Sequence, residues 1–197
     1  MRKIVLLIVG IMVLCPLIFT SCKKDNDINS KLSLLESDNY FPLSVGNYWK
    51  IDYIPRRTID KTEQLDGINY YRMISEYDTT YYRKSTDGKV YSRTKSTNEI
   101  LKFDLKASVG DTWTYKVGNS EYTWNVTLTS KTDTIKLNNC TFNNCYRFYY
   151  DIPQLADEEY VVWLAPGVGF VEEFYLGGTA DRKKILKASI NNIEIDF

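Results

Sequence analysis

Carboxylates, thiols and tyrosines are the residues of this chain that could do chemistry, because it contains no histidine. Without imidazole, Ser-His-Asp and Cys-His catalysis are excluded and the commonest metal ligand is missing. Acids cluster at Asp157-Glu158-Glu159 and at Glu172-Glu173. A carboxylate hydrolase needs two that face each other across a cleft, about 5–9.5 Å apart. Strand neighbours point to opposite faces, so Glu172 and Glu173 are not that pair by themselves. They are expected as solvent-side charges that blunt a sheet edge. The Asp-rich loops lack the alternating spacing of a calcium loop, so no metal and no cofactor is expected. Ala165-Pro166-Gly167-Val168-Gly169 lacks the third glycine and the following helix of a phosphate loop, and reads as a tight turn.

Cys140 and Cys145 could form a disulfide, since an exported chain permits one. In one extended strand their Cα atoms would lie about 16 Å apart, against the ~4.4–6.8 Å that a bridge requires. A bond therefore demands a bend within Thr141 to Asn144. A turn at Asn138-Asn139 would instead leave both thiols free, with Cys145 packed as a small hydrophobe, and this is the favoured reading. The sixteen tyrosines include a dense group at Tyr70, Tyr71, Tyr77, Tyr81, Tyr82 and Tyr91 and a second at Tyr146, Tyr149 and Tyr150. Exposed aromatic rings stack on sugars, which makes Tyr70, Tyr71, Tyr81, Tyr82, Tyr146 and Tyr149 candidate ligand contacts. Alternation sends about half of any such run into the core.

The N-terminus gives an address. Arg2 and Lys3 precede an uncharged run, Ile4 to Phe19, which is shorter than the ~20 residues of a membrane-spanning helix and is interrupted by Pro16. This is the pattern of a secretory signal. Thr20-Ser21-Cys22 resembles the bacterial lipobox, in which the thiol is diacylated and becomes the mature N-terminus, with Phe19 standing where Leu is usual. Two or more acyl chains, palmitate among them, make a stable membrane anchor. Lys23-Lys24-Asp25-Asn26-Asp27 resembles the export signal that sends Bacteroidota-type lipoproteins to the outer face of the outer membrane; the periplasmic face is the alternative. The expected organisation is a signal peptide at 1–21, a flexible tether at 22–39 and a β domain at 40–197.

The elements that must position these residues are strands. Trp49, Ile51 and Tyr53 alternate with Lys50 and Asp52, a period of two that separates an apolar face from a polar one. The pattern returns in Trp113–Val117, Trp124–Leu128, Tyr70–Tyr77, Tyr81–Ser85, Val90–Arg93 and Ile100–Leu105, and again in Thr141–Tyr150, Glu159–Leu164, Phe170–Leu176 and Lys184–Ile190. Turn dipeptides such as Asp66-Gly67, Asp87-Gly88 and Gly177-Gly178 fall between runs. About ten short strands at this spacing predict an all-β protein: one antiparallel, strongly curved sheet, barrel-like or sandwich. Leu43-Ser44-Val45-Gly46-Asn47-Tyr48-Trp49 is echoed by Ala107-Ser108-Val109-Gly110-Asp111-Thr112-Trp113 at Ser, Val, Gly and Trp, which would fit two related halves.

Tyr40-Phe41-Pro42-Leu43 with Val45-Gly46-Asn47-Tyr48-Trp49, then Val109-Gly110-Asp111-Thr112-Trp113, then Ala165 to Val171 resemble, in that order, the motifs of a widespread group of secreted Bacteroidota-type lipoproteins. That resemblance implies an all-β lipoprotein module and no catalytic residue. A formal net charge of zero gives no footprint for nucleic acid. The chain is therefore expected to be a lipid-anchored, non-catalytic binding or structural module of the cell envelope. Its expected partners are the membrane, through Cys22, and a glycan or an envelope protein. The alternative is a carrier that holds a lipid or other apolar ligand in a β cavity, opposed by the bulk of Trp49, Trp113, Trp124 and Trp163; a carboxylate hydrolase is the least favoured.

Overall fold

A computed structural model describes residues 23–177 and 182–197. The signal segment, Cys22 and Gly178 lie outside them. A helix, α1 (Lys23–Leu32), precedes the strands β1 (Tyr48–Ile51), β2 (Arg57–Leu65), β3 (Ile68–Ile74), β4 (Thr79–Lys84), β5 (Lys89–Arg93) and β6 (Ile100–Asp104). After a crossover come β7 (Thr112–Tyr115), β8 (Trp124–Lys136), β9 (Thr141–Asp151), β10 (Tyr160–Ala165), β11 (Gly169–Tyr175), β12 (Arg182–Ile190) and β13 (Ile193–Asp196). All pair antiparallel in the order β6-β5-β4-β3-β2-β1-β12-β11-β10-β9-β8-β7, with β13 added on β12. The fold is all-β, a twelve-strand, nearly closed, barrel-like sheet. Its two edges, β6 and β7, approach where the Trp113 indole N–H donates to the Leu101 carbonyl at 2.9 Å.

Two six-strand meanders make up this path, β1–β6 and β7–β12, and the echoed heptapeptides open each of them. Gly46 and Gly110 hold φ of +94° and +96°, a region open to glycine at little cost. The Gly46 N–H donates to the Ile59 carbonyl at 2.8 Å and the Gly110 N–H to that of Leu128 at 2.8 Å. Returning bonds run from Ile59 N–H to the Asn47 carbonyl and from Leu128 N–H to that of Asp111. The halves therefore share one corner, and Trp49 and Trp113 are its equivalent second strand residues.

Phenylalanine fills the interior. Phe41 lies 5.3 Å from Phe170 and 5.5 Å from Phe103, and Phe103 lies 4.9 Å from Phe148. Trp49 meets Phe170 edge-on at 6.0 Å, and its indole N–H donates to the Val168 carbonyl at 2.6 Å. Trp163, expected as filler, instead lies on the outer face among Tyr149, Phe174 and Arg182. The stretches Tyr40–Trp49 and Ala165–Val171 meet at one end of the barrel. A Cβ on Gly169 would stand 3.3 Å from Pro42 and 3.4 Å from the Trp49 indole, and Gly167 and Gly169 both hold positive φ. The glycine-rich stretch is a turn, as its spacing predicts, and its glycines serve φ and close approach.

Three further expectations are corrected. Residues 23–39 are not a free tether: α1 packs on β13, Ile28 and Leu35 are buried, and Leu35 seats against Gly167. Ile28, Leu32 and Leu35 follow helical spacing, and their apolar stripe caps the base of the barrel. The strand count rises because β2 and β13 were not legible. In Arg-Thr-Ile-Asp-Lys-Thr-Glu-Gln-Leu, only Ile59 is deeply buried. Glu172 and Glu173 are 1% and 4% exposed, because β11 is a central strand and not an edge. Cys140 and Cys145 are free, in keeping with the favoured turn reading. The Leu137 N–H donates to the Cys140 carbonyl across Asn138-Asn139, and β9 then continues through Cys145 with a bulge at Asn144, where φ is +57°.

Candidate functional site

Antiparallel order gathers the β1–β2, β3–β4, β5–β6, β7–β8, β9–β10 and β11–β12 connections at one end of the barrel. The opposite end is the base, which carries the β10–β11 turn and the segment after α1. At the connection end a hollow of about 210 Å³ opens between the two half-sheets. It is lined by Arg57, Met73, Asp78, Thr80, Tyr82 and Lys102 on one side, and by Tyr160, Val162, Phe170, Glu173 and Tyr175 on the other. A second hollow of about 260 Å³ shares Asp78, Thr80, Tyr82 and Lys102 with it and reaches Ser92, Asn98 and Val117 at the β6–β7 seam.

Register builds its walls. Trp113, Val126, Tyr150, Tyr160 and Tyr175 are successive cross-strand partners on β7 to β11, so all share the inner face. The Tyr150 and Tyr160 rings stack at 4.4 Å and 4°, and Tyr160 stacks on Tyr175 at 5.5 Å and 25°. Burial raises the phenols of Tyr115, Tyr150 and Tyr160 above their ordinary range, so all are neutral at physiological pH. On the other wall a bulge shifts the register, so that Val90 pairs Phe103 and Tyr91 pairs Leu101. Lys102 is the extra residue, and both it and Phe103 turn inward, a re-aiming for which bulges are used.

Lys102 sits in an aromatic cage. Its ammonium is 4.4 Å from the Tyr150 ring, 5.6 Å from Tyr160 and 5.9 Å from Tyr115, and it donates to the Tyr160 hydroxyl at 3.1 Å. The Tyr150 hydroxyl donates to the Lys102 carbonyl at 3.0 Å, fixing the strand to the cage. Below it, Arg57 pairs with Glu173 at 2.5 Å and lies over the Phe170 ring at 5.3 Å. Burial by itself would lower the Arg57 pKa, but the adjacent Glu173 carboxylate outweighs it and drives it up. At the rim the Asp78 carboxylate accepts from the Ser75 hydroxyl. Glu173 is thus paired with a cation, Asp78 keeps its charge beside one hydroxyl donor, and the free donors are the ammonium and the Tyr160 and Tyr175 hydroxyls.

Of the tyrosines expected to contact a ligand, Tyr82 alone lines this hollow; Tyr71 shares its inner face, against the core. Tyr70 and Tyr81 are buried on the outer face under an ion network. There Tyr70 donates to Glu99 at 2.7 Å, Arg83 pairs with Glu99 at 2.5 Å, and Glu63 takes Lys61 and Lys95. Tyr146 stacks on Tyr40 at 3.8 Å near the base. Tyr149 belongs to an outer-face groove of about 290 Å³ with Val161, Trp163 and Phe174. The residues that do converge, Arg57, Lys102, Tyr115, Tyr150, Tyr160, Glu173 and Tyr175, are scattered over six strands. Their one sequence signal is a lysine set between Leu101 and Phe103.

No family model matches the chain, and no curated protein matches it. Among solved structures it is similar to a Parabacteroides distasonis protein described as a lipoprotein. The identity is 13% and the TM-score 0.34, over 74% of this chain and 94% of that one.

Proposed function

We propose that the chain is a lipid-anchored cell-envelope protein, acylated at Cys22, whose barrel binds a saccharide in the tyrosine-walled hollow and catalyses no reaction. The observation that carries this reading is the row Tyr150-Tyr160-Tyr175 beneath Lys102, its rings stacked on one another and ending in the exposed Tyr175, with hydroxyl and ammonium donors at its edge. A non-catalytic role is supported by the engagement of Glu173 with Arg57, which leaves the hollow without a free pair of acids. The carrier alternative is disfavoured by size and polarity: an acyl chain would have to enter about 210 Å³ walled by Arg57, Glu173 and Lys102.

Geometry also favours presentation away from the bilayer. The segment that follows α1 is seated at the base, where Leu35 meets Gly167 and the Gly167 N–H donates to the Asn39 carbonyl at 3.1 Å. A chain held at its N-terminus would turn the hollow outward, which suits the outer face of the outer membrane; its periplasmic face is the alternative. The decisive experiment is a saccharide screen on the mature chain, with Tyr175→Ala as control. Saturable binding weakened about fivefold to tenfold by the variant is expected, from the ~1–1.5 kcal/mol of one stacked ring. A chain that binds no saccharide removes the reading. Separately, Cys22→Ala should abolish labelled-palmitate incorporation and membrane fractionation.

A further inference from the structure

We infer that the saccharide of this hollow carries a carboxylate, as a uronic acid does, and that Lys102 is the residue that selects it. The inference rests on the saccharide reading above and adds the charge of the ligand. Two cations face the cavity, Arg57 and Lys102, and they differ in one respect. Arg57 is neutralised by Glu173 at 2.5 Å, whereas among the described residues Lys102 has no acidic partner within ion-pair distance. Its one hydrogen-bond acceptor is a neutral phenol, which leaves two ammonium protons and a full charge directed at the space between the half-sheets.

Such a placement is specific. A bulge turns Lys102 inward, three rings hold its ammonium, and the Tyr150 hydroxyl ties its own carbonyl, so the head group is held away from the acids of the outer face. A caged but unpaired cation in a half-desolvated hollow attracts an anion that can displace water from it. A planar carboxylate beside a sugar ring can meet the ammonium while the sugar rests against Tyr175, the exposed end of the row. Free carboxylates share the charge without the ring, so the test separates the two.

The experiment uses the full mature chain and three probes: a glucuronate-containing oligosaccharide, its carboxyl-reduced neutral counterpart, and sodium acetate. The uronate is expected to bind about tenfold more tightly than its reduced counterpart, which corresponds to about 1.4 kcal/mol. Acetate is expected to compete only in large excess. Lys102→Gln should erase the tenfold preference, so that the acidic and the reduced sugar bind alike. Raising salt should weaken uronate binding by the wild-type chain and not that of the neutral sugar, a readout that needs no variant. Equal affinity for the acidic and reduced sugars overturns the inference and leaves the saccharide reading standing, as does a K102Q chain that weakens both alike. Absence of binding to either sugar overturns both.

Discussion

Glu173 and Arg57 show how a residue's role depends on what closes around it. The carboxylate is 4% exposed and its partner guanidinium lies against Phe170, so losing either leaves the other poorly solvated. Glu173→Gln is expected to destabilise the chain by about 3 kcal/mol in chemical denaturation, the scale for removing one member of a buried pair. An Arg57→Met, Glu173→Leu double variant should recover most of that loss, because no buried charge then remains. The outer-face carboxylates behave differently. Hydrogen bonds from Lys95 and then Lys61 hold Glu63 down to about 2 from 4.5, Arg72 lowers Asp60, and Arg83 and Tyr70 lower Glu99 against the opposing effect of its burial. A depressed carboxyl contributes stability above its unfolded value and loses it as protons bind in the fold. The melting temperature should therefore fall as pH drops from about 4.5 towards 2, and Glu63→Gln should flatten that limb; a wild-type limb already flat would contradict the network.

At the scale of elements, the β8–β9 hairpin and the base of the barrel carry the sharpest expectations. Burial alone pushes the Cys140 thiol up to about 11, and burial is the main cause that takes Cys145 to about 12, so both remain thiols at pH 8. Neither should react with a disulfide-exchange reagent in the native chain, and both should react in denaturant; rapid native labelling would mean that β9 opens. The base depends on Gly167, where φ is +76° and an added Cβ would stand 2.8 Å from the Leu35 Cβ. Gly167→Ala is expected to cost about 2 kcal/mol or more, from the left-handed penalty plus the clash. Deleting residues 23–36 should remove the clash and leave the backbone penalty. An unchanged cost in the shortened chain would mean that Leu35 does not seat there. The hairpin turn at Asn138-Asn139 and the glycine-rich turn were legible because turn chemistry is local; the seat for Leu35 was not, because it joins segments far apart in the chain.

For the whole molecule, the two meanders and their shared seam fix what the barrel presents. Tyr77, 80% exposed in the β3–β4 connection, stands at the hollow end. A Tyr77→Cys chain on intact cells should take a membrane-impermeant maleimide if the barrel faces the medium. Labelling only after the outer membrane is opened would place it on the periplasmic face. The buried native thiols supply no background.

What the sequence by itself determined is whatever depends on neighbours in the chain. Alternation at Trp49, Trp113 and Trp124 specified strands, the echo at Gly46 and Gly110 located the two corners, and the missing histidine narrowed the chemistry. Tertiary structure decided which strands are central and which side chains share a face. Those facts follow from pairing register, and register joins residues as distant as Trp113 and Tyr175 through four successive ladders. Glu173 reads as surface charge until β10 and β12 close on either side of it, and Lys102 reads as an ordinary strand lysine until one bulge turns it inward. Local periodicity encodes the alternation of faces; only long-range burial states which face is the inside.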